Sequence, residues 1–215
     1  GMISEAVLPD GTTVWLNSNS TLTYPTRFNS KVRKVELEGE GFFNVKKTGQ
    51  KFIVDARDVS IEVLGTKFDV AAYPSCSEIK ATLVSGKIRM AYEDKAGVSR
   101  AINVNPGERY SYNCESDRLE CRKVDTACLT SWKDGKIWLN NTPLADALEA
   151  IGNRYNVEFL VRNEELYKNR YSGVFTDQRL DVVIKHFCKT TNIHFQVLSD
   201  GIPDTVCGRQ KILVY

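Results

Sequence analysis

The sequence predicts a mainly β N-terminal domain, a sandwich or an open β-solenoid of short strands, over residues 1–125. A small α+β domain of βαβ-βαβ order follows over residues 126–215. Three observations predict this division. From residue 6 to about 124, short β-rich runs alternate with turn signals, and no helical period appears. After Trp132, apolar residues recur at helical spacing in two stretches. β-rich runs flank each of those stretches, and the rhythm changes near residues 124–132.

In the first domain the strand runs are Val14-Trp15-Leu16, Val35-Glu36-Leu37, Phe52-Ile53-Val54, Ile61-Glu62-Val63-Leu64, Phe68-Asp69-Val70 and Lys87-Ile88-Arg89-Met90. Several alternate apolar with polar residues, as half-buried strands do. Pro9-Asp10-Gly11, Asn17 to Asn19, Gly39 and Gly41, Gly49, Gly86, Gly97 and Pro106-Gly107 supply the turns between them. Gly41-Phe42-Phe43-Asn44-Val45 is echoed by Gly65-Thr66-Lys67-Phe68-Asp69-Val70 when Phe43 is laid on Phe68. In each run Phe and Val are two apart and share a strand face.

In the second domain Ile137-Trp138-Leu139 reads as a strand. Thr142 as N-cap and Pro143 at the first helical position start a helix with Leu144, Leu148 and Ile151 on one face and Ala147 beside them. Residues 157–161 and 171–175 read as strands. Asp177 caps a second helix carrying Leu180, Val183, Ile184 and Phe187. Residues 193–198 and 212–215 read as strands, joined by a turn with Gly201, Pro203 and Gly208.

Composition narrows the function. Apolar residues are 42% and charged residues 26% of the 215, ordinary values for a chain with a packed core. The net charge is +2, from 29 basic and 27 acidic residues, with no long basic run to hold nucleic acid. No apolar stretch reaches the roughly 18 residues of a membrane span, and no signal peptide heads the chain. Gly1 reads as the remnant of tag removal, so a membrane segment is expected upstream of this chain. The six cysteines are Cys76, Cys114, Cys121, Cys128, Cys188 and Cys207, and none form C-x-x-C. Two readings stand for them. Cys114 and Cys121 close a hairpin while Cys188 joins Cys207, or all six are buried thiols.

Leu8-Pro9-Asp10-Gly11-Thr12-Thr13-Val14-Trp15-Leu16-Asn17 resembles the opening of the FecR domain. Tyr24-Pro25, Arg33-Lys34-Val35-Glu36-Leu37-Glu38-Gly39-Glu40-Gly41-Phe42-Phe43-Asn44-Val45, Val63-Leu64-Gly65-Thr66-Lys67-Phe68-Asp69-Val70, Leu83-Val84-Ser85-Gly86-Lys87-Ile88 and Asn105-Pro106-Gly107-Glu108 continue it in order. Gly41 stands where members often have Ala. Trp132-Lys133-Asp134-Gly135-Lys136-Ile137, Asn141-Thr142-Pro143-Leu144, Tyr155-Asn156-Val157 and Tyr171-Ser172-Gly173-Val174-Phe175 resemble the C-terminal domain of two-domain members. That domain is similar to the short N-terminal domain of secretins and TonB-dependent transducers.

The resemblance implies the periplasmic region of a single-pass inner-membrane anti-sigma factor. Such a protein receives the periplasmic signalling domain of an outer-membrane TonB-dependent transporter. It controls an extracytoplasmic-function (ECF) sigma factor through a cytoplasmic segment that this chain lacks. No cofactor, nucleic acid or small-molecule substrate is implied. The second domain is where the transporter's domain is expected to dock. Small domains of this order bind by pairing an edge strand with a partner strand. The candidate edges are Ile137, Trp138 and Leu139, and Ile212, Leu213, Val214 and Tyr215.

Other chemistry is thin. His186 and His194 are the only histidines and make no metal motif, so no metal site is expected. No nucleotide fingerprint or nucleophile elbow is present. Glu36, Glu38 and Glu40 alternate and read as a solvated outer strand face opposite Val35 and Leu37. Some FecR-like proteins cleave themselves at a Gly-Thr bond, which Gly65-Thr66 matches. There the Thr66 hydroxyl would attack the Gly65 carbonyl to give an ester that water splits. The favoured reading is a turn between two strands, and the chain is not expected to be an enzyme. Trp15, Tyr24, Phe28, Phe42, Phe43, Phe52, Phe68 and Tyr73 raise a glycan-binding β-sandwich as an alternative, although strand-interior positions favour core packing.

Overall fold

Alternate burial along the chain sets the first unit. In Lys51–Ala56, Phe52, Val54 and Ala56 are buried, and in Val59–Val63 it is Val59, Ile61 and Val63. Their partners point the other way, the period-two signature of a strand with one face on a core. The computed structural model describes residues 2–29, 31–190, 193–198 and 209–215. The chain forms two compact units, Ile3–Thr126 and one built on Ala127–Tyr215.

Twelve strands make the first unit. They are Ser4–Val7 (β1), Thr13–Leu16 (β2), Thr21–Thr23 (β3), Val32–Asn44 (β4), Lys51–Ala56 (β5) and Val59–Val63 (β6). Then come Lys67–Ala72 (β7), Glu78–Ser85 (β8), Ile88–Glu93 (β9), Ser99–Val104 (β10), Glu108–Asn113 (β11) and Arg118–Lys123 (β12). They join in one sheet of order β10-β9-β6-β5-β4-β7-β8-β11-β12, with β3 and β2 also against β4 and β1 against β2. The sheet curls into a half-barrel, so the mainly β expectation holds.

The long strand β4 makes the curl. Its first half, Val32 to Glu36, pairs in parallel with β5, and its second half, Gly39 to Asn44, pairs antiparallel with β7. The halves meet at Gly39, whose φ is +89°. A Cβ there would stand 2.7 Å from Ser20 Cα, so this crossing requires glycine. Alternation fails beyond it, and Gly39, Glu40, Gly41, Phe42 and Phe43 are all buried. Glu40 therefore leaves the solvated face shared by Glu36 and Glu38, contrary to the regular strand read from sequence.

Both halves of the sheet feed one core. Phe43 and Phe68 come from one half and Phe52 from the other, and Phe43 lies 6.3 Å from Phe52. A polar staple closes one end. The Arg33 guanidinium, 1% exposed, donates to Asp10 Oδ2 (2.6 Å), to the Lys46 carbonyl (2.9 Å) and to the Gln50 carbonyl (2.6 Å). Its face lies 5.2 Å from the Phe52 ring centre. Asp10 also accepts from the Thr12 amide and hydroxyl, at 2.9 and 2.7 Å. The opening Pro9-Asp10-Gly11-Thr12 turn is thereby tied to β4.

The second unit carries a short helix Thr126–Leu129 (α1) at its boundary, then Ile137–Pro143 (β13), Leu144–Tyr155 (α2) and Val157–Val161 (β14). Arg170–Phe175 (β15), Leu180–Thr190 (α3), Phe195–Val197 (β16) and Gln210–Val214 (β17) complete it. The predicted βαβ-βαβ order with a closing strand is present. Leu144, Ala147, Leu148 and Ile151 of α2 and Val183 and Phe187 of α3 are buried in one cluster, as their helical spacing implied.

Both helix starts differ from the sequence reading. Pro143 is the N-cap of α2, and Thr142 stays in the β ladder opposite Tyr171. The Thr142 hydroxyl instead accepts from the Asn140 amide (3.0 Å) within the bulge between Leu139 and Thr142. At α3 the Arg179 carbonyl accepts the first helical bonds, so Asp177 lies too early to cap. The predicted turn at Gly201, Pro203 and Gly208 falls outside the described residues.

Candidate functional site

Gly65 and Thr66 lie in the link between β6 and β7. Thr66 is buried, its hydroxyl donates to the Lys87 carbonyl (3.1 Å), and the Lys87 amide donates back to it (3.4 Å). The Thr66 carbonyl accepts from the Val45 amide (3.0 Å). A Cβ on Gly65 would meet Lys47 Cα at 3.0 Å, so glycine serves close packing here. Its φ lies outside the left-handed region. Thr66 thus mimics a strand partner for Lys87. Among the described residues the hydroxyl's hydrogen-bond partners are the Lys87 carbonyl and amide, and no carboxylate or imidazole is hydrogen-bonded to it as a base would be.

The proposed edge strands separate in the structure. β17 is the middle of a three-stranded sheet, parallel to β14 and antiparallel to β16. Leu213 lies opposite Leu160 on one side and Gln196 on the other. Ile212, Leu213 and Val214 are buried, and Tyr215 exchanges main-chain bonds with His194 at 2.8 and 3.1 Å. The segment Ile212, Leu213, Val214 and Tyr215 is therefore no edge, contrary to expectation. Its terminal position in sequence says nothing about its place in the sheet.

Ile137, Trp138 and Leu139 fit the edge expectation better. β13 pairs only with β15 among the described residues, although its Trp138 amide is taken by Ser131 Oγ (3.0 Å) and its Asn140 amide by the Thr142 hydroxyl (3.0 Å). Ile137, Leu139, Tyr171 and Phe175 turn inward and are buried. Trp138 and Val174 are directly opposite each other on the outward face, 42% and 55% exposed. A solvent-facing Trp–Val pair on a two-stranded sheet is what an interaction surface presents.

The remaining candidates resolve into structure. Among the described residues no three His, Cys, Asp or Glu side chains gather as metal ligands. His194 is engaged in the β16–β17 sheet, and His186 packs edge-on against Phe175 at 5.5 Å. The β11–β12 register sets Cys121 opposite Tyr110, so Cys114 lies four residues away along the hairpin, roughly 13 Å at strand rise. Both are free thiols. Nor are the thiols uniformly buried, since Cys128 alone of the described five is. Cys207, proposed to join Cys188, lies outside the described residues. Of the aromatics that raised a glycan platform, Phe42, Phe43, Phe52, Phe68 and Tyr73 are buried.

Sequence reasoning missed two buried polar clusters. One is the Asp10–Thr12–Arg33 staple. In the other, Glu40 accepts from Asn17 Nδ2 (2.7 Å), and the Tyr73 hydroxyl lies between the Ser18 carbonyl (3.2 Å) and Glu40 (3.4 Å). The signal for the first was Asp two residues before Thr in a glycine turn, a pattern that ties its own backbone. The second had none, because the bonds that join it span 23, 33 and 55 residues.

No helix among the described residues is long and apolar enough to cross a membrane. A family model described as FecR protein matches residues 1–89, and one described as FecR, C-terminal matches residues 136–202. Together they take in well over half of the chain. No curated protein matches it. Two crystal structures of a candidate anti-sigma factor from Parabacteroides distasonis, at 1.65 and 2.50 Å resolution, are similar to it throughout. Each is 27% identical and covers 100% of this chain, with 95% and 94% of its own chain covered and TM-scores of 0.77 and 0.76.

Proposed function

The chain belongs to the FecR-like anti-sigma factors, which relay signals, and we propose from that premise how it does so. The chain is the periplasmic region of a single-pass inner-membrane protein. Its second unit receives the signalling domain of an outer-membrane TonB-dependent transporter. The signal reaches an ECF sigma factor through a cytoplasmic segment outside this chain. In this reading the chain acts by binding, and Thr66 holds β6, β7 and β9 together rather than attacking a peptide bond.

The observation that carries the reading is the outward Trp138–Val174 pair on the open two-stranded sheet. β15, which pairs on one side only among the described residues, gives an added strand its hydrogen bonds, and the Trp138 ring gives it apolar area. Calorimetric titration of the whole chain with the signalling domain of the transporter encoded beside it tests this. Saturable one-to-one binding, weakened about tenfold or more by Trp138→Ala, supports the reading. Absence of binding overturns the choice of partner, and binding indifferent to Trp138→Ala overturns the choice of surface.

A further inference from the structure

The two edges of the β13–β15 sheet differ. On β13 the Trp138 amide donates to Ser131 Oγ (3.0 Å) and not to β15. Trp138 and Val174 are therefore a facing pair that exchanges no main-chain bonds. Val174 then directs its own N–H and C=O away from β13. The extra residue of the bulge lies in β13, so β15 stays regular and this direction alternates along it. The main-chain groups of Arg170, Ser172 and Val174 point to the open side, and those of Tyr171, Gly173 and Phe175 point to β13. Two contacts fit this phase. The Asn169 carbonyl accepts from the Leu144 amide at the end of β13 (3.0 Å), and Pro143, which has no N–H, lies opposite Arg170.

The open run has a defined end. Thr176 is the next residue in phase, and both of its main-chain groups are taken. Its amide donates to Gln178 Oε1 (2.6 Å), and its carbonyl accepts from Arg154 Nη2 (2.6 Å). The outward groups of Arg170, Ser172 and Val174 have no such partner among the described residues. Three donors and three acceptors thus stand in a row roughly 14 Å long at strand rise. The side chains of these three residues are on the exposed outer face with Trp138, while Tyr171 and Phe175 turn inward. Arg170 uses its Nε on the Asn141 carbonyl (2.7 Å), and no carboxylate pairs with its guanidinium among the described residues.

We propose that a partner strand adds antiparallel to β15 in one register, exchanging main-chain bonds with Val174, Ser172 and Arg170 and stopping before Thr176. Antiparallel pairing suits an edge on which the N–H and C=O of alternate residues are open together, because one partner residue meets both. The partner residue facing Val174 is apolar and extends the row of Trp138 and Val174. The residue four places later faces Arg170 on the same outer side and is acidic. The recognised pattern is apolar-x-x-x-acidic. A second copy of β15 does not supply it, because Arg170–Phe175 has no acidic residue to set against Arg170. The proposal rests on the reading of this sheet as the receiving surface, and it adds the strand, direction, register and side-chain pattern that are selected.

Amide hydrogen exchange of the whole chain, followed by NMR, tests the phase of the edge. In the free chain the Ser172 and Val174 amides should exchange about tenfold or more faster than those of Gly173 and Phe175. Titration with the blocked peptide Val-Thr-Thr-Thr-Glu should then protect the Ser172 and Val174 amides. That peptide should bind about threefold more tightly than its Gln counterpart, the worth of an exposed ion pair, and more tightly than the reversed Glu-Thr-Thr-Thr-Val. Val174→Pro removes only an outward amide, which an edge strand tolerates, and should weaken the peptide about tenfold or more with the melting temperature unchanged. Val174→Thr keeps the amide and should stay within about threefold of wild type. The exchange measurement uses wild type alone, so it decides the phase even if the Pro variant melts early. Slow exchange at Ser172 and Val174 in the free chain, no peptide binding, equal affinity for the reversed peptide, or binding that Val174→Pro leaves unchanged overturns the proposal. Dimerisation of the free chain that Val174→Pro abolishes overturns the choice of occupant. With the transporter's signalling domain as titrant, tight binding that Val174→Pro does not weaken overturns the register and leaves the relay standing. Selective peptide binding without binding of that domain upholds the edge and removes the transporter as the source of the strand.

Discussion

Phe43 and Phe68 lie directly opposite each other across β4 and β7, with ring centres 5.1 Å apart and planes 11° from parallel. They are the two residues that align when 41–45 is laid on 65–70. The echo in the sequence is thus a contact in the fold. Both are fully buried at the meeting of the two halves of the curled sheet. Phe68→Ala should cost about 3–5 kcal/mol. The double variant with Phe43→Ala should fall short of additivity by about 0.5–1.5 kcal/mol. Urea denaturation followed by fluorescence measures both, and additive losses would contradict a stacked pair.

Asp10 makes the first unit sensitive to acid. Burial pushes its carboxyl up, but the Thr12 hydroxyl and amide and the Arg33 guanidinium together outweigh that and hold it below the ordinary 3.8. A carboxyl held below its unfolded value adds stability that is complete above about pH 4 and is lost as pH falls through the folded value. Asp10→Asn leaves the buried Arg33 without its counter-ion and should cost about 3–5 kcal/mol at neutral pH. Below about pH 4 the unfolded chain of the wild type takes up the proton before the folded one does, so the gap in melting temperature should narrow. A gap constant from pH 7 to pH 3 would show that the charge of Asp10 is immaterial.

Thr66 gives a prediction about mass as well as stability. Its hydroxyl completes the main-chain needs of Lys87. Thr66→Ala should therefore destabilise the first unit by about 1–2 kcal/mol. On incubation, wild type and variant should both keep the full-length mass. Fragments ending at Gly65, present in the wild type and absent in the variant, would show that the hydroxyl attacks the bond.

Much of this was legible in the sequence because it was local. Period-two runs gave the strands of the first unit, and 3.6-residue spacing gave the faces of α2 and α3. What escaped was whatever distant residues decide. Glu40 continues a regular alternation with Glu36 and Glu38, and only the positive φ of Gly39 against Ser20 turns it inward. Thr142-Pro143 has the composition of a helix start, but pairing with Tyr171 and Arg170 keeps both residues in the strand. Nor does any local pattern mark Tyr171 as a buried hydroxyl without a hydrogen-bond partner among the described residues.

The central place of β17 changes how the receiving surface must be probed. Leu213 sits between Leu160 and Gln196, with paired strands on both sides. Leu213→Pro removes an amide from the middle of that sheet and should cost about 3 kcal/mol or more. Amide NMR should then lose the dispersed signals of the unit built on Ala127–Tyr215 while those of Ile3–Thr126 persist. Any loss of partner binding in that variant reports unfolding and cannot identify an edge. Trp138→Ala separates the two effects, because an outward side chain 42% exposed can be removed within about 0.5 kcal/mol of wild-type stability. A variant with an unchanged melt and weakened binding places the partner on β13. A fall in melting temperature as large as that of Leu213→Pro would instead make Trp138 part of the unit's own packing.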